Sequence, residues 1–117
     1  MKYLLLIYFD ESWAKRSLAE RRQYFEGQVQ LAQELTASGR YLGGNPLHPA
    51  SSATTVRVRD GKRVLTDGPF AETREQLGGY MLIDVANLDD AIAIAGRAPM
   101  AGVGSIEVRP VREGPPA

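Results

Sequence analysis

Residues 2–9 are apolar at both odd and even positions, and residues 80–85 nearly repeat the pattern. A strand of that kind needs cover on both faces, so each run predicts a central strand of a sheet. The first run stops at Asp10, Glu11 and Ser12, which form either a solvated turn or the rim of a pocket. Ser17 and Glu20 then have the spacing of a capping box, predicting a helix from that point. Leu18, Phe25, Val29, Ala32 and Leu35 define its apolar face, widened by Tyr24 and Leu31, and Gly39 ends it. Residues 40–52 lack a sustained period and predict a structured loop with a short strand at Tyr41 and Leu42. Asn87, followed by Asp89 and Asp90, caps a second helix whose Leu88, Ala91, Ile92 and Ala95 face the sheet. Residues 105–111 alternate Ile106, Val108 and Pro110 with Glu107 and Arg109, as an edge strand does.

Residues 54–59 and 62–66 are alternating strands around Asp60 and Gly61, a hairpin signal. A two-residue loop would oppose Val58 to Arg63 and Arg57 to Val64, whereas a three-residue loop of Arg59, Asp60 and Gly61, the preferred reading with Gly61 left-handed, would oppose Val56 to Val64 and Arg57 to Arg63. In that register the two arginines share a face, and a carboxylate or a bound anion must lie between them.

Strand, helix, hairpin insertion, strand, helix, strand is an α+β order, the split βαβ pattern of ferredoxin-like folds. Two helices cover one face of such a sheet. The face of Leu4, Leu6 and Tyr8 therefore needs a cover from outside the chain, and a homodimer is the simplest one. At 117 residues there is one domain, expected over 1–112, with 113–117 a disordered tail. Fourteen basic and fourteen acidic residues cancel, which argues against non-specific binding to nucleic acid or a membrane. With no cysteine and only His48, neither a disulfide nor an all-protein metal site is expected, and the sequence calls for no cofactor. The opening apolar run is too short to span a bilayer and lacks a signal-peptide front, so a cytoplasmic location is the expectation.

The two halves are joined by Asp67-Gly68-Pro69-Phe70-Ala71-Glu72-Thr73-Arg74-Glu75-Gln76-Leu77-Gly78-Gly79-Tyr80. Gly68 and Pro69 bend the chain, Asp67 can cap the bend, and Phe70 reads as an inward anchor. The glycine pair relieves crowding at a bulge or lets a ligand come close. The stretch resembles the signature of the DGPF branch of the YCII-related proteins, departing from it at Arg74, where a lysine is usual. Residues 1–8, 53–57 and 106–110 are similar to the same family. The resemblance implies a ferredoxin-like dimeric α/β barrel with a pocket between sheet and helices, and an association with extracytoplasmic-function sigma factors. Better-studied relatives place a catalytic His in the first helix and an Asp after the second; the comparable positions here are Tyr24 or Phe25 and Ala98, so that dyad is not carried over.

Two functional classes follow. The first is a small-molecule-binding protein or enzyme with a cleft beside the signature. Asp67, Glu72 and His48 are its candidate catalytic groups, and Asp67, Phe70, Glu72, Arg74, Gly78, Gly79, Tyr80 and Arg57 its candidate ligand contacts, with Arg57 or Arg74 holding an anion. The second is a non-catalytic dimeric module with a sigma-factor-linked protein partner, in which Asp67 only caps its turn.

Overall fold

The computed structural model describes residues 1–116. Its main sheet has four antiparallel strands: β1 (Lys2–Phe9), β2 (Tyr41–Pro46), β5 (Gln76–Asp84) and β6 (Gly104–Pro110), in the order β2-β5-β1-β6. A separate two-stranded ribbon holds β3 (Thr54–Arg59) and β4 (Lys62–Asp67). The runs with apolar residues at both parities, β1 and β5, are the two central strands, and they pair with each other. β2 extends well past the expected Tyr41 and Leu42 because Gly44, Asn45 and Pro46 continue the ladder with β5. The chain after β6, residues 111–116, is exposed and has no helix or strand; the tail expected at 113–117 includes Ala117, which lies outside the described residues.

One face of the sheet carries the core. Tyr3, Leu5 and Ile7 of β1 and Met81 and Ile83 of β5 are buried there. Leu31 and Leu35 of α1 (Leu18–Ala37), and Ala91, Ile94 and Ala95 of α2 (Leu88–Arg97), pack against them. Both helices start at the caps read from the sequence: the Glu20 N–H donates to Ser17 Oγ at 3.1 Å, and the Asp90 N–H to Asn87 Oδ1 at 2.9 Å. The Glu20 carboxylate does not close the box; it pairs with Arg16 at 3.6 Å.

Three expectations need correction. The core stripe of α1 runs through Tyr24, Leu31 and Leu35, whereas Leu18, Phe25 and Val29 are exposed. The α2 stripe likewise buries Ile94 and leaves Leu88 and Ile92 exposed. In the ribbon, the loop is two residues long, because Asp60 (φ 52°) and Gly61 (φ 72°) both take left-handed backbone, the requirement of a type I′ turn. Arg57 therefore faces Val64, and Arg63 faces Val58. The two arginines lie on opposite faces, and the shared anion between them is ruled out.

The sheet's other face holds Leu4, Leu6 and Tyr8. Leu82 and Tyr80 stand directly opposite Leu4 and Leu6 on β5, and Arg109 and Glu107 do so on β6. No helix or strand among the described residues covers it, and its apolar side chains are half-buried. No helix among the described residues is long and apolar enough to cross a membrane.

Candidate functional site

The apolar positions of α1 that the core leaves out have a place. Phe25, Val29 and Ala32 roof a cavity of about 350 Å³ between the helix and the sheet, floored by Ile7, Phe9, Tyr41 and the backbone stretch Gly78 to Met81. Volume and apolar lining are those of a small-molecule chamber. Two polar groups are set among these walls. Gln28 turns its Nε2 toward the Met81 sulfur at 3.8 Å, while its Oε1 is buried with no hydrogen-bond partner. Tyr41 is held as the neutral phenol: burial raises its pKa, and the neighbouring Tyr80 adds to the effect. A phenol and a carboxamide in an apolar lining suit a ligand bearing its own hydroxyl or carbonyl.

Gly44 lets β2 lie close on β5, since a Cβ there would meet the Tyr80 carbonyl oxygen at 2.6 Å and the Tyr41 hydroxyl at 2.8 Å. Gly78 has a similar task. The register of β1 against β5 slips between Ile7 and Tyr8, so Gly78 is the extra residue of a bulge, and a Cβ on it would lie 1.9 Å from the Phe9 ring. That space is filled by Phe9 itself. Phe9 in turn stacks on Trp13 (centroids 4.7 Å apart, planes at 13°), and Trp13 meets Tyr24 edge-on at 5.6 Å. This aromatic ladder ties the end of β1 to α1 and forms one wall of the chamber.

Beyond that wall is a second cavity of about 570 Å³, which shares Phe9, Trp13, Leu47 and Gly78 with the chamber. Its polar lining includes Asp10, Glu11, Arg21, His48, Thr73, Arg74 and Gln76. Asp10 is committed to its own turn: its carboxylate accepts from the Ser12 hydroxyl and, at 2.9 Å, from the Ser12 N–H, and the hydroxyl bond above all lowers its pKa. On the uncovered side of the sheet a third concavity of about 530 Å³ is lined by Tyr8, Thr73, Arg74, Glu75, Ser105 and Glu107, with Ser105 Oγ donating to Glu75 Oε1 at 2.9 Å.

Of the residues singled out in the sequence, Gly78, Gly79 and Tyr80 line the chamber, His48 the adjoining cavity, and Arg74 both the latter and the open concavity. Asp67, Phe70, Glu72 and Arg57 line none of the three. Phe70 is 79% exposed, so it does not anchor the loop; the bend is held instead by the Gly68 N–H donating to Ala53 O at 2.6 Å and by Thr55 Oγ1 donating to Gly68 O at 2.8 Å. Asp67 is the last residue of β4 and accepts no hydrogen bond on its side chain from the described residues, so the cap read for it is not made. Trp13, Gln28, Tyr41 and Arg21 escaped the sequence reading. The signal was there for one of them: the lone tryptophan follows directly on a charged turn at a strand's end.

The fold and site define a class: an α+β protein in which two helices pack on one face of an antiparallel sheet and leave an apolar chamber under the longer helix. Within that class the chain belongs to the YCII-related domain family, whose model matches residues 1–114. A relative at 37% identity is an uncharacterised protein of Rhizobium meliloti (strain 1021), aligned over 95% of this chain and 92% of its own. Among solved structures, the chain is similar to 5-chloro-2-hydroxyhydroquinone dehydrochlorinase (TftG) from Burkholderia phenoliruptrix AC1100, in complex with 2,5-dihydroxybenzoquinone. The TM-score is 0.57 at 15% identity, with 97% of this chain and 96% of that one covered, a likeness of fold.

Proposed function

We propose that this chain is a small-molecule-binding protein whose ligand lies in the chamber under α1. The observation that carries the reading is an apolar cavity of about 350 Å³ between helix and sheet, with Gln28 and Tyr41 as polar residues in its lining. A structurally similar protein was solved with a dihydroxybenzoquinone, a ligand that offers both a donor and an acceptor oxygen. The acid/base candidates Asp67 and Glu72 lie away from the chamber and His48 in the adjoining cavity; the titratable side chains in the chamber's own lining are Tyr41 and Tyr80. The signature at residues 67–80, with Arg74 in place of the usual lysine, supports membership of the DGPF branch, and we expect a cytoplasmic protein. The uncovered face of Leu4, Leu6, Tyr8, Tyr80 and Leu82 supports a homodimer that closes the ferredoxin-like fold into a dimeric α/β barrel.

The test is calorimetric titration with the neutral aromatic probe 3-phenylpropionamide, and separately with the acidic quinone 2,5-dihydroxybenzoquinone, against the wild type and Ala32→Phe, whose added ring fills the chamber. Binding by the wild type and its loss in the filled variant, with the melting temperature retained, is the expected result. Equal binding by both proteins would move the ligand elsewhere. A second reading, the non-catalytic interaction module with a sigma-factor-linked partner, draws on a different feature, the apolar strip of Val56, Val58 and Leu65 on the ribbon.

A further inference from the structure

Among the described residues two arginines have a buried Nε without a hydrogen-bond partner, Arg16 and Arg21; Arg16 already pairs through its terminal nitrogen with Glu20, and Arg21 lines the cavity next to the chamber. Arg21 sits in the first turns of α1, and its Nε is buried with no hydrogen-bond partner. Arg74, from the signature, lines the same cavity. Neither guanidinium is in a salt bridge among the described residues, whereas Arg16 pairs with Glu20, Arg97 with Glu34 and Arg109 with Glu107; what sets Arg21 apart from the other unpaired arginines is its buried Nε in the lining of a cavity. The two carboxylates in the same lining do not supply the missing partner. Asp10 is turned into its hydrogen bonds with Ser12, and Glu11 is exposed. A buried charged donor without an acceptor is costly, and a carboxylate is what the planar fork of an arginine fits best.

The position of these arginines relative to the chamber narrows the chemistry further. Chamber and cavity adjoin at Phe9, Trp13, Leu47 and Gly78, which line both. Resting on the chamber reading above, we infer that the ligand is an aryl or alkyl carboxylate: its apolar body occupies the chamber under Phe25 and Val29, and its carboxylate lies beyond the Phe9 and Trp13 stack, between Arg21 and Arg74. The departure from the family signature at residue 74 strengthens such a site, because arginine can grip a carboxylate with two parallel N–H donors where lysine offers a point charge.

Calorimetry with a matched pair of probes, 3-phenylpropionate and 3-phenylpropionamide, separates this inference from the reading it rests on. The two share the apolar body and differ in the charge at its end. The acid should bind the wild type at least ~10-fold more tightly than the amide, a gain of the size expected for a charge-assisted pair. Arg21→Gln should bring the acid down to the affinity of the amide and leave the amide unchanged. Arg74→Gln, at an exposed position that the fold does not depend on, should weaken the acid alone and so keeps the test valid if the Arg21 variant folds poorly. Equal affinity of acid and amide for the wild type, or an acid indifferent to both substitutions, overturns the carboxylate site while the chamber stands. If neither probe binds the wild type, both fall.

Discussion

β1 with β5, and β3 with β4, are both antiparallel pairs built from alternating or wholly apolar runs, yet their fates in the fold are opposite. In the first pair Leu5 and Ile83 are 0% exposed; in the second Val58 is 62% exposed and Leu65 58%. The difference lies in what comes next to each. β1 and β5 have a neighbour strand on either side and two helices over one face, whereas the ribbon has no third strand and no helix among the described residues. An isolated two-stranded ribbon is marginal in water, so this one depends on its turn and on whatever meets its apolar strip. The molecule's shape records the same contrast. Its extents of 48 × 46 × 20 Å and radius of gyration of 16.1 Å make it broader than the roughly 13 Å of a compact domain near this length. An alternating pattern thus specifies a strand and a face, but not the layer that will cover the face.

The largest effect expected from this comparison is in the covered pair. Leu5→Ala removes a side chain that is wholly buried between β5, β6 and the helices, and should cost about 2–5 kcal/mol in urea unfolding, the range for large-to-small core changes. A loss below ~1 kcal/mol would mean that the sheet's packed face is far looser than its burial indicates.

Next in size is the junction where the central pair meets the chamber. Gly78→Ala puts a methyl group onto the Phe9 ring at the bulge, and relief requires Phe9 to swing off Trp13. We expect a loss of about 1–3 kcal/mol, the usual cost of overpacking. It should come with a shift in the emission of Trp13, the only tryptophan in the chain. Unchanged stability and emission would show that the glycine serves something other than the aromatic ring, and would return it to the ligand.

How far the sequence foretold these features depends on whether the deciding contact is local. The caps at Ser17 and Asn87 and the two central strands rest on near-neighbour chemistry or on periodicity, and these were legible; β2 as a full edge strand was not. The hairpin register was not. Asp60 and Gly61 fit a two-residue and a three-residue loop equally well, and the choice turned on an aspartate accepting left-handed backbone. On α1 two apolar stripes compete, one through Tyr24, Leu31 and Leu35 and one through Phe25, Val29 and Ala32. Only the approach of the sheet determines which becomes core and which becomes the chamber roof. Phe70 was read as an anchor because aromatic residues in turns are so often buried, but no pocket of the described chain receives it. For the site the same rule holds. Gly78, Gly79 and Tyr80 were found because they interrupt a strand pattern, while Gln28 and Arg21 look like ordinary surface positions of a helix until the buried Oε1 and Nε are seen without partners.

The smallest effect should come from the ribbon, and it decides which surface closes the dimer. Val58 shares its face with Val56, Leu65 and Arg63, and it is 62% exposed among the described residues. If the second copy sits on the sheet face of Leu4, Leu6 and Tyr8 alone, Val58→Asp should alter unfolding free energy by about 0.5 kcal/mol or less, as exposed substitutions do. Native mass spectrometry of both proteins should then report twice the chain mass of 12.8 kDa. A Val58→Asp protein that appears at 12.8 kDa, with a melting temperature that has become independent of concentration, would instead make the ribbon part of the homodimer seal. Its apolar strip would then be spent on the second copy, leaving the interaction-module reading without its docking surface. A wild type already at the single-chain mass would remove the barrel, leaving the sheet face as bare in solution as it is in the isolated chain.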